Sequence, residues 1–394
     1  MSRIYTSQPK AEIQARIKKL KQILIQANVN GALLFSITGI YYYSGYGADG
    51  VIYIPIEGEP IHLVKRNVSL AERYSQIPNI QPLTRISKIF KTLKIPENHK
   101  ILIEEDYLSY SFVKYLKDIN GSIQFLDGSQ VFREIRSIKS KYEITMLKKA
   151  AKMVDESFLY CCDVAQPDMS EIELASKLDS WLLNNGHGGY ITTRAMNSAL
   201  LNYSYVVSSH STSLNIQFTP ISGYGLTLKY PYGPSKQKIG KNKPFFVDTC
   251  GNWQGYISDT TRTFICGKFN KEAQDQLIAL EQVKEFILKN LNSKKNLGDL
   301  FREVMELSKE LKIYNNFMGT ISDKSAFLGH GIGLELDELP IFYAKGPDLC
   351  VGNVLACEPK IIVIDKTVLG IEDSIVIKDT GARLLSTAAN YYEI

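Results

Sequence analysis

The feature that most constrains the fold of this chain is a set of acidic residues inside runs of strand-forming, apolar residues. Asp248 ends FFVD and Asp259 lies within GYISDTTRTF. Glu358 interrupts NVLACEPKIIVI, and Glu372 interrupts VLGIEDSIVI. A carboxylate inside a sheet is costly unless it has a partner. We therefore expect a sheet that brings these acids together around a cation.

The two aspartates are predicted to share one face of a hairpin. A tight turn at Gly251-Asn252 would place Asp248 opposite Gly255. Strand alternation then brings Asp259 to the same face as Asp248. In this register the two carboxylates are about four residues apart along the hairpin, so we expect a bulge or a longer loop between them.

A histidine adds a fifth candidate ligand. His330 lies in the glycine-rich stretch GHGIGLELDELP, residues 329–340. Any one of the acids alone is better explained by a lysine partner or by solvent, but all four together with His330 are not. Four carboxylates and one imidazole suit two hard or borderline divalent ions, such as Mn²⁺, Co²⁺ or Zn²⁺.

Two domains are expected from the pattern of elements. A helix at 11–27, followed by alternating strands and helices, predicts a small α/β domain over residues 1–137. Capping boxes at Ser140 and Ser170 open two helices, and strands dominate after residue 190. We expect a larger α+β domain over residues 138–394.

Composition excludes several classes of protein. The 394 residues are 44% hydrophobic and 22% charged, and the net charge of +5 is dispersed, so we expect no nucleic-acid partner. No stretch approaches the roughly eighteen apolar residues of a membrane span, and the N-terminus has no apolar signal core. Six cysteines without C-x-x-C spacing are typical of free thiols in a reducing compartment. We expect a cytoplasmic protein without a membrane partner.

Four blocks of this chain resemble the motifs of the pita-bread metallopeptidases, which include Xaa-Pro aminopeptidases, prolidases and methionine aminopeptidases, with creatinase as a relative. The blocks are VDTCGNWQGYISDTTRTF, GHGIGLELDELP, ACEPKIIV and LGIEDSIVI, in the family's order. IRSIKSKYEITMLKKAA, 135–151, resembles the family's domain junction. The resemblance implies a C-terminal pita-bread domain, a creatinase-like N-terminal domain and a homodimer.

The resemblance also implies roles for the five candidate ligands. Asp248 matches the terminal ligand of one metal, and Asp259 and Glu372 match the bridging carboxylates. His330 and Glu358 match the ligands of the second metal, and Glu358 is also the implied proton shuttle. Two ions, with Mn²⁺ expected first, would supply a bridging hydroxide that attacks the scissile carbonyl. The implied reaction is hydrolysis of the bond between an N-terminal residue and proline in a small peptide.

Three positions depart from the family's pattern. The family carries a second histidine seven residues after the ligand histidine, where this chain has Asp337, and another after a proline, where it has Tyr232. Prolidases carry an arginine at the position of Gly370. We assign Asp337 and Tyr232 to the substrate pocket. We expect Asp337 to be held by a ligand or a backbone amide, and the open alternative is a contact with the substrate's amino group.

Other residues are candidates for supporting roles. His210, in VVSSHSTSL, lies where the family has substrate-facing residues, and Arg194 is a candidate for binding an anionic substrate group. Thr261 matches a position that orients the ligands. Tyr41, Tyr42 and Tyr43 of ITGIYYYSGYG, 37–47, are interpreted as core residues, and the resemblance leaves open that this segment borders the site of a neighbouring subunit.

Two other functions stay open. The missing pocket histidines are compatible with a metal-dependent hydrolase or lyase of a small non-peptide molecule. A non-catalytic binding module is the second alternative. The intact ligand set argues against a binding module, because buried acids without a use are costly to keep.

Overall fold

The computed structural model describes residues 6–194, 203–211, 220–363 and 366–394. The chain divides into two compact units, Met1–Ile135 and Arg136–Ile394. Across the described ranges, no helix combines the length and the apolar character needed to cross a bilayer.

The first unit is a mixed α/β domain. Its described elements are α1 (Lys10–Gln26), β1 (Gly31–Leu34), α2 (Ile37–Ser44), β2 (Gly50–Pro55), β3 (Ile61–Val64), α3 (Val68–Tyr74), β4 (Asn79–Pro82), α4 (Ile89–Leu93), β5 (Lys100–Ile103), α5 (Tyr110–Ile119) and β6 (Gln124–Asp127). The strands have the order β4-β3-β2-β1-β5-β6. Parallel pairs join β1 to β5, β3 to β4 and β5 to β6, and antiparallel pairs join β1, β2 and β3. The predicted alternation of strands and helices is confirmed.

Burial explains the first helices of this unit. The apolar positions Ile13, Leu20 and Leu24 of α1 face inward at helical spacing. Tyr42 and Tyr43 of α2 are also buried. The interpretation as core residues is therefore confirmed for Tyr42 and Tyr43, whereas Tyr41 is only partly buried.

The second unit is richer in strands, and α6 (Ser129–Ser137) leads the chain into it. Its described elements are α7 (Lys141–Val164), α8 (Glu171–Asn184), β7 (Ser204–Ser208), β8 (Pro244–Trp253), β9 (Tyr256–Ile265), α9 (Lys271–Asn290), α10 (Leu297–Glu310), β10 (Gly319–Thr320), β11 (Asp323–Lys324), β12 (Phe327–Gly331), β13 (Glu338–Tyr343), β14 (Val354–Cys357), β15 (Lys360–Val363), β16 (Thr367–Gly370), β17 (Asp373–Lys378), β18 (Gly381–Leu384) and β19 (Tyr391–Glu393). As far as the described residues extend, its sheets have the orders β19-β9-β8-β7, β13-β12-β14-β17-β18, β15-β16 and β10-β11.

Helices cover both larger sheets of this unit. The predicted capping boxes are present, with Ser140 and Glu143 at the start of α7 and Ser170 and Glu173 at the start of α8. Helices α7 and α8 share a hydrophobic core with β8 and β9, which includes Val154, Phe158, Leu174, Phe245 and Phe264. Helices α9 and α10 share another core with β12, β14 and β17, which includes Leu280, Val304, Leu328, Leu355 and Ile375.

The β8–β9 hairpin turns later than the sequence predicts. The turn residues are Gln254 and Gly255, with φ of 51° and 87°, as a primed two-residue turn requires. The prediction of a turn at Gly251-Asn252 is wrong, because both residues lie in β8 and the Asn252 side chain stabilises a turn that follows the strand. Its Oδ1 accepts a hydrogen bond from the Gly255 N–H at 2.9 Å and so stabilises the later turn.

The observed register brings the two aspartates close without a bulge. Asp248 lies opposite Thr261, and Cys250 lies opposite Asp259. Asp248 and Asp259 therefore share one face and are diagonal neighbours across the two strands. The same-face prediction is confirmed, and the predicted bulge or longer loop is not needed.

Candidate metal centre

The predicted ligands come from elements that meet in the second unit. Asp248 lies on β8, Asp259 on β9 and His330 on β12. Glu358 follows β14, and Glu372 immediately precedes β17. Strand β14 pairs with both β12 and β17. His330, Glu358 and Glu372 therefore lie on adjacent strands or at their ends.

Three of these residues form a compact donor group. Asp259, His330 and Glu372 each offer one ligand atom, and these atoms lie within 4.8 Å of one another. His330 Nε2 is 3.8 Å from Asp259 Oδ2 and 3.9 Å from Glu358 Oε1. These separations are too long for hydrogen bonds, but they suit donor atoms that converge on an ion about 2.0–2.2 Å from each.

The surroundings of Glu372 favour a bound cation. Its Oε2 accepts a hydrogen bond from Thr261 Oγ1 at 2.5 Å, a contact that agrees with the orienting role predicted for Thr261. Its Oε1 is buried and, within the described residues, accepts no hydrogen bond. Burial raises the pKa of Glu372 to about 8. A cation beside Oε1 would supply the missing partner and favour the ionised form.

Asp259 has a similar environment. Its side chain is buried, and Cys250 Sγ lies 3.5 Å from Oδ1. Burial, followed by the negative charges of Glu372 and Asp248, raises the pKa of Asp259 well above its usual range. A second buried carboxylate that is costly to ionise alone points to the same cation.

A lysine that the sequence analysis missed also enters this cluster. Lys360 Nζ is 2.8 Å from Glu358 Oε2, 3.1 Å from Asp248 Oδ2 and 3.4 Å from Glu372 Oε2. Burial works to lower the pKa of Lys360, but these carboxylates outweigh it and raise the pKa well above the usual value. The signal was present in ACEPKIIVI, because a lysine two residues after Glu358 in an apolar strand also needs a partner.

A buried arginine holds the backbone around Glu372. Arg262 Nη1 donates to the carbonyl oxygens of Thr261, at 2.9 Å, and of Glu372. Its Nη2 donates to Asp373 Oδ1 at 2.6 Å. Arg262 therefore links the Glu372 carbonyl and the neighbouring Asp373 to β9, and the sequence analysis missed this residue as well.

Asp337 is held by a backbone amide. Its Oδ1 accepts a hydrogen bond from the Arg194 N–H at 3.0 Å. This contact is the one we expected for Asp337. Arg194 directs its guanidinium elsewhere, with Nε 3.4 Å from Glu335 Oε1 and a side chain only 6% exposed. That pairing argues against Arg194 as a binder of a substrate anion.

An ionic cluster supports the loop that carries Asp337. Arg136 pairs with Glu335 and, at 3.3 Å, with Glu338. Lys139 Nζ donates to Glu338 Oε2 at 3.0 Å. Glu338 Oε1 also accepts the Leu334 N–H at 3.0 Å. The loop after His330 is therefore held by buried ion pairs between its glutamates and Arg136 and Lys139.

The other two predicted site residues lie near β7. Tyr205 of β7 pairs with Asp248. Burial raises the pKa of Tyr205, and the charge of nearby Tyr232 raises it further. His210 lies five residues beyond Tyr205, and its Nε2 is 2.9 Å from Lys243 Nζ. The substrate roles of Tyr232 and His210 stay predictions.

Comparison with known families gives this centre a context. Residues 145–379 match the sequence model of metallopeptidase family M24, and residues 16–138 match that of the creatinase/prolidase N-terminal domain. The chain belongs to metallopeptidase family M24. The predicted fold, a pita-bread domain preceded by a creatinase-like α/β domain, is confirmed. Metal dependence is a property of this family.

Individual M24 relatives match over nearly the full length. A Xaa-Pro dipeptidase of Pyrococcus furiosus is 26% identical over 381 residues, which cover 95% of this chain and 98% of the relative. The solved prolidase of Pyrococcus horikoshii has a TM-score of 0.80 at 22% identity, covering 95% of this chain and 99% of that one. The X-Pro aminopeptidase of Thermotoga maritima gives 0.79 at 20% identity, covering 95% and 100%. These two structures show a shared fold.

The donor set of this M24 chain fits a metal ion at one position. Asp259, His330 and Glu372 present converging donors there, and the buried Glu372 Oε1 needs a partner. One oxygen of Asp248 and one of Glu358, Oδ2 and Oε2, contact the ammonium group of Lys360, while Glu358 Oε1 lies 3.9 Å from His330 Nε2. The residues therefore fit a metal ion on one side, and the Lys360 ammonium lies on the other.

Proposed function

We propose that this chain is a metal-dependent peptidase that hydrolyses the bond between an N-terminal residue and a following proline. The observation that carries the proposal is the convergence of Asp259, His330 and Glu372 donors within 4.8 Å. They lie in a chain that matches a Xaa-Pro dipeptidase over 95% of its length. Mn²⁺ is the first expected ion, with Co²⁺ and Zn²⁺ as alternatives, because carboxylate and imidazole ligands suit all three.

The bound ion and Glu358 would have different roles in the reaction. A divalent ion here would polarise the scissile carbonyl and make a water more acidic. Glu358 is 3% exposed, and one of its oxygens is 3.9 Å from His330 Nε2 while the other accepts from Lys360. A carboxylate fixed in this way can accept a proton from water and pass it to the leaving amine. The predicted two-ion hydroxide mechanism stays a prediction.

The pocket residues would select and orient the peptide. Asp337 accepts a hydrogen bond from the Arg194 amide, and its negative charge would favour the positive α-amino group of a substrate. Tyr232 replaces a family histidine, and its hydroxyl would donate a hydrogen bond to the developing oxyanion. This pocket favours small peptides with a free N-terminus.

Two further properties are proposed, the first from the resemblance to the family and the second from the pattern of cysteines. We propose a homodimer, which sedimentation or light scattering of the purified chain would test. We also propose a cytoplasmic location, which fractionation of the source cells would test.

A screen of matched peptides tests the activity. Protein reconstituted with Mn²⁺, Co²⁺ or Zn²⁺ is assayed on Xaa-Pro dipeptides and longer Xaa-Pro peptides, with Xaa-Ala peptides as controls. We expect turnover of the proline peptides, loss on chelation and recovery on adding metal back. Metal-loaded, folded protein that cleaves none of the proline peptides would contradict the proposal and favour a non-peptide substrate or a binding role.

A further inference from the structure

We propose that the ammonium group of Lys360 occupies the place of one of two cations, so that this chain binds a single divalent ion. The inference rests on the metal dependence in the proposed function but not on its peptide substrate. It concerns how many ions the four carboxylates hold.

The contacts of Lys360 match the capacity of an ammonium group. An ammonium has three N–H donors and no acceptor. Three carboxylate oxygens surround Nζ at 2.8–3.4 Å, one each from Glu358, Asp248 and Glu372. The side chain is only 2% exposed. Lys360 is thus fully engaged inside the cluster and is not a surface lysine that happens to approach it.

A second divalent ion would compete for the same oxygens. Such an ion needs carboxylate oxygens at about 2.0–2.2 Å. Asp248 and Glu358, which the family resemblance assigns to different metals, both direct an oxygen at Lys360 Nζ instead. An ion bound through these oxygens would lie within contact distance of the ammonium, where two positive charges repel strongly in a buried site.

The remaining donors still form a site for one ion. In the described part of the chain, the ion pairs of Lys360 are with Asp248, Glu358 and Glu372, whereas the ligand atoms of Asp259 and His330 converge with one from Glu372. Glu372 offers Oε2 to Lys360 and Thr261, which leaves its buried Oε1 for the ion. The structure therefore separates the cluster into an ammonium side and a metal side, with Glu372 between them.

Charge balance agrees with this division. One divalent ion and one ammonium leave the four carboxylates with a single excess negative charge. That excess can be neutralised by a proton or by the α-amino group of a substrate. Two divalent ions together with Lys360 would instead leave one excess positive charge, which would need a bound anion such as hydroxide to neutralise it.

Metal stoichiometry tests the proposal without any substrate. The full chain is stripped by chelation, saturated with Mn²⁺ and desalted, and bound manganese is measured by elemental analysis and electron paramagnetic resonance. We expect one Mn²⁺ per wild-type chain, with the spectrum of an isolated ion. Lys360→Ala should bind two, with the spectrum of a coupled pair. Lys324→Ala, a lysine that donates to the Tyr314 and Phe317 carbonyls, is the matched control and should bind one.

The outcomes separate the possible failures. Two ions in the wild-type chain, or one ion in a folded Lys360→Ala variant, would overturn the proposal. If that variant does not fold, the wild-type count and spectrum decide alone. A wild-type chain that binds no Mn²⁺, Co²⁺ or Zn²⁺ would overturn both this inference and the proposed metal dependence. A chain that binds one ion but cleaves no proline peptide would contradict only the proposed function.

Discussion

Lys360 and Gly370 lie directly opposite each other on β15 and β16. A Cβ at position 370 would be 3.2 Å from Lys360 Cγ and 3.0 Å from Thr261 Cγ2. Glycine at position 370 therefore leaves room for the aliphatic part of the Lys360 side chain, which extends into the acid cluster. By the resemblance described above, position 370 is that of an arginine in prolidases, whereas in this chain the positive charge is that of Lys360 on the facing strand.

Gly370→Ala should destabilise the protein, because the added methyl group crowds Lys360 and Thr261 in a packed interior. We expect a loss of about 1–3 kcal/mol in the free energy of unfolding, measured with urea. Gly121→Ala is the control, since its Cβ would meet only the Lys117 carbonyl oxygen, at 3.9 Å. Equal effects of the two substitutions would show that position 370 is not tightly packed.

Thr261→Val should weaken metal binding while it preserves the shape of the side chain. The substitution removes the hydrogen bond that orients Glu372, and the loss of such a partner costs about 10–100-fold in affinity. Thr260→Val is the matched control, because Thr260 Oγ1 is buried without a hydrogen-bond partner in the described chain. Calorimetric titration with Mn²⁺ compares the two, and an unchanged affinity in Thr261→Val would contradict the orienting role.

Glu358→Gln should retain its contact with Lys360, because the amide oxygen still accepts a hydrogen bond. It should lose the ability to accept and return a proton. We expect kcat on a Xaa-Pro peptide to fall by at least about a hundredfold, in protein whose metal content is measured in parallel. Near-normal turnover with metal bound would remove Glu358 from the proton transfer.

Asp337→Asn should keep the hydrogen bond from the Arg194 amide, so metal content and stability should change little. The variant loses a negative charge near the pocket, worth about 1 kcal/mol toward an amine at 4 Å in water. We expect kcat/KM for peptides with a free N-terminus to fall roughly fivefold more than for their acetylated forms. Loss of the ion would make Asp337 a ligand, and equal losses on both peptides would contradict its charge-selecting role.

The shared face of Asp248 and Asp259 was predictable although the turn was placed wrongly. Moving the turn from Gly251-Asn252 to Gln254-Gly255 shifts the pairing by an even number of residues. An even shift keeps each side chain on its face, whereas an odd shift would have reversed them. The distance between the carboxylates depends on the true register, and that depends on the side-chain contact of Asn252.

Lys360 and Arg262 show where the sequence was insufficient. Each is a charged residue inside a strand, so the cost of burial predicts a partner for each. The identity of each partner depends on how β9, β15 and β17 pack together. This packing belongs to the tertiary structure and cannot be read from local sequence patterns. The ligand motifs could be recognised because several acids and a histidine match a family in order, whereas a single lysine carries no such pattern.

Turnover of a Xaa-Pro dipeptide as a function of bound Mn²⁺ is the most direct test of a one-ion Xaa-Pro peptidase. We predict that activity rises in proportion to metal up to one equivalent per chain, stays constant beyond it and is lost on chelation. Activity that begins only with a second equivalent, or no cleavage at any metal loading, would contradict this prediction.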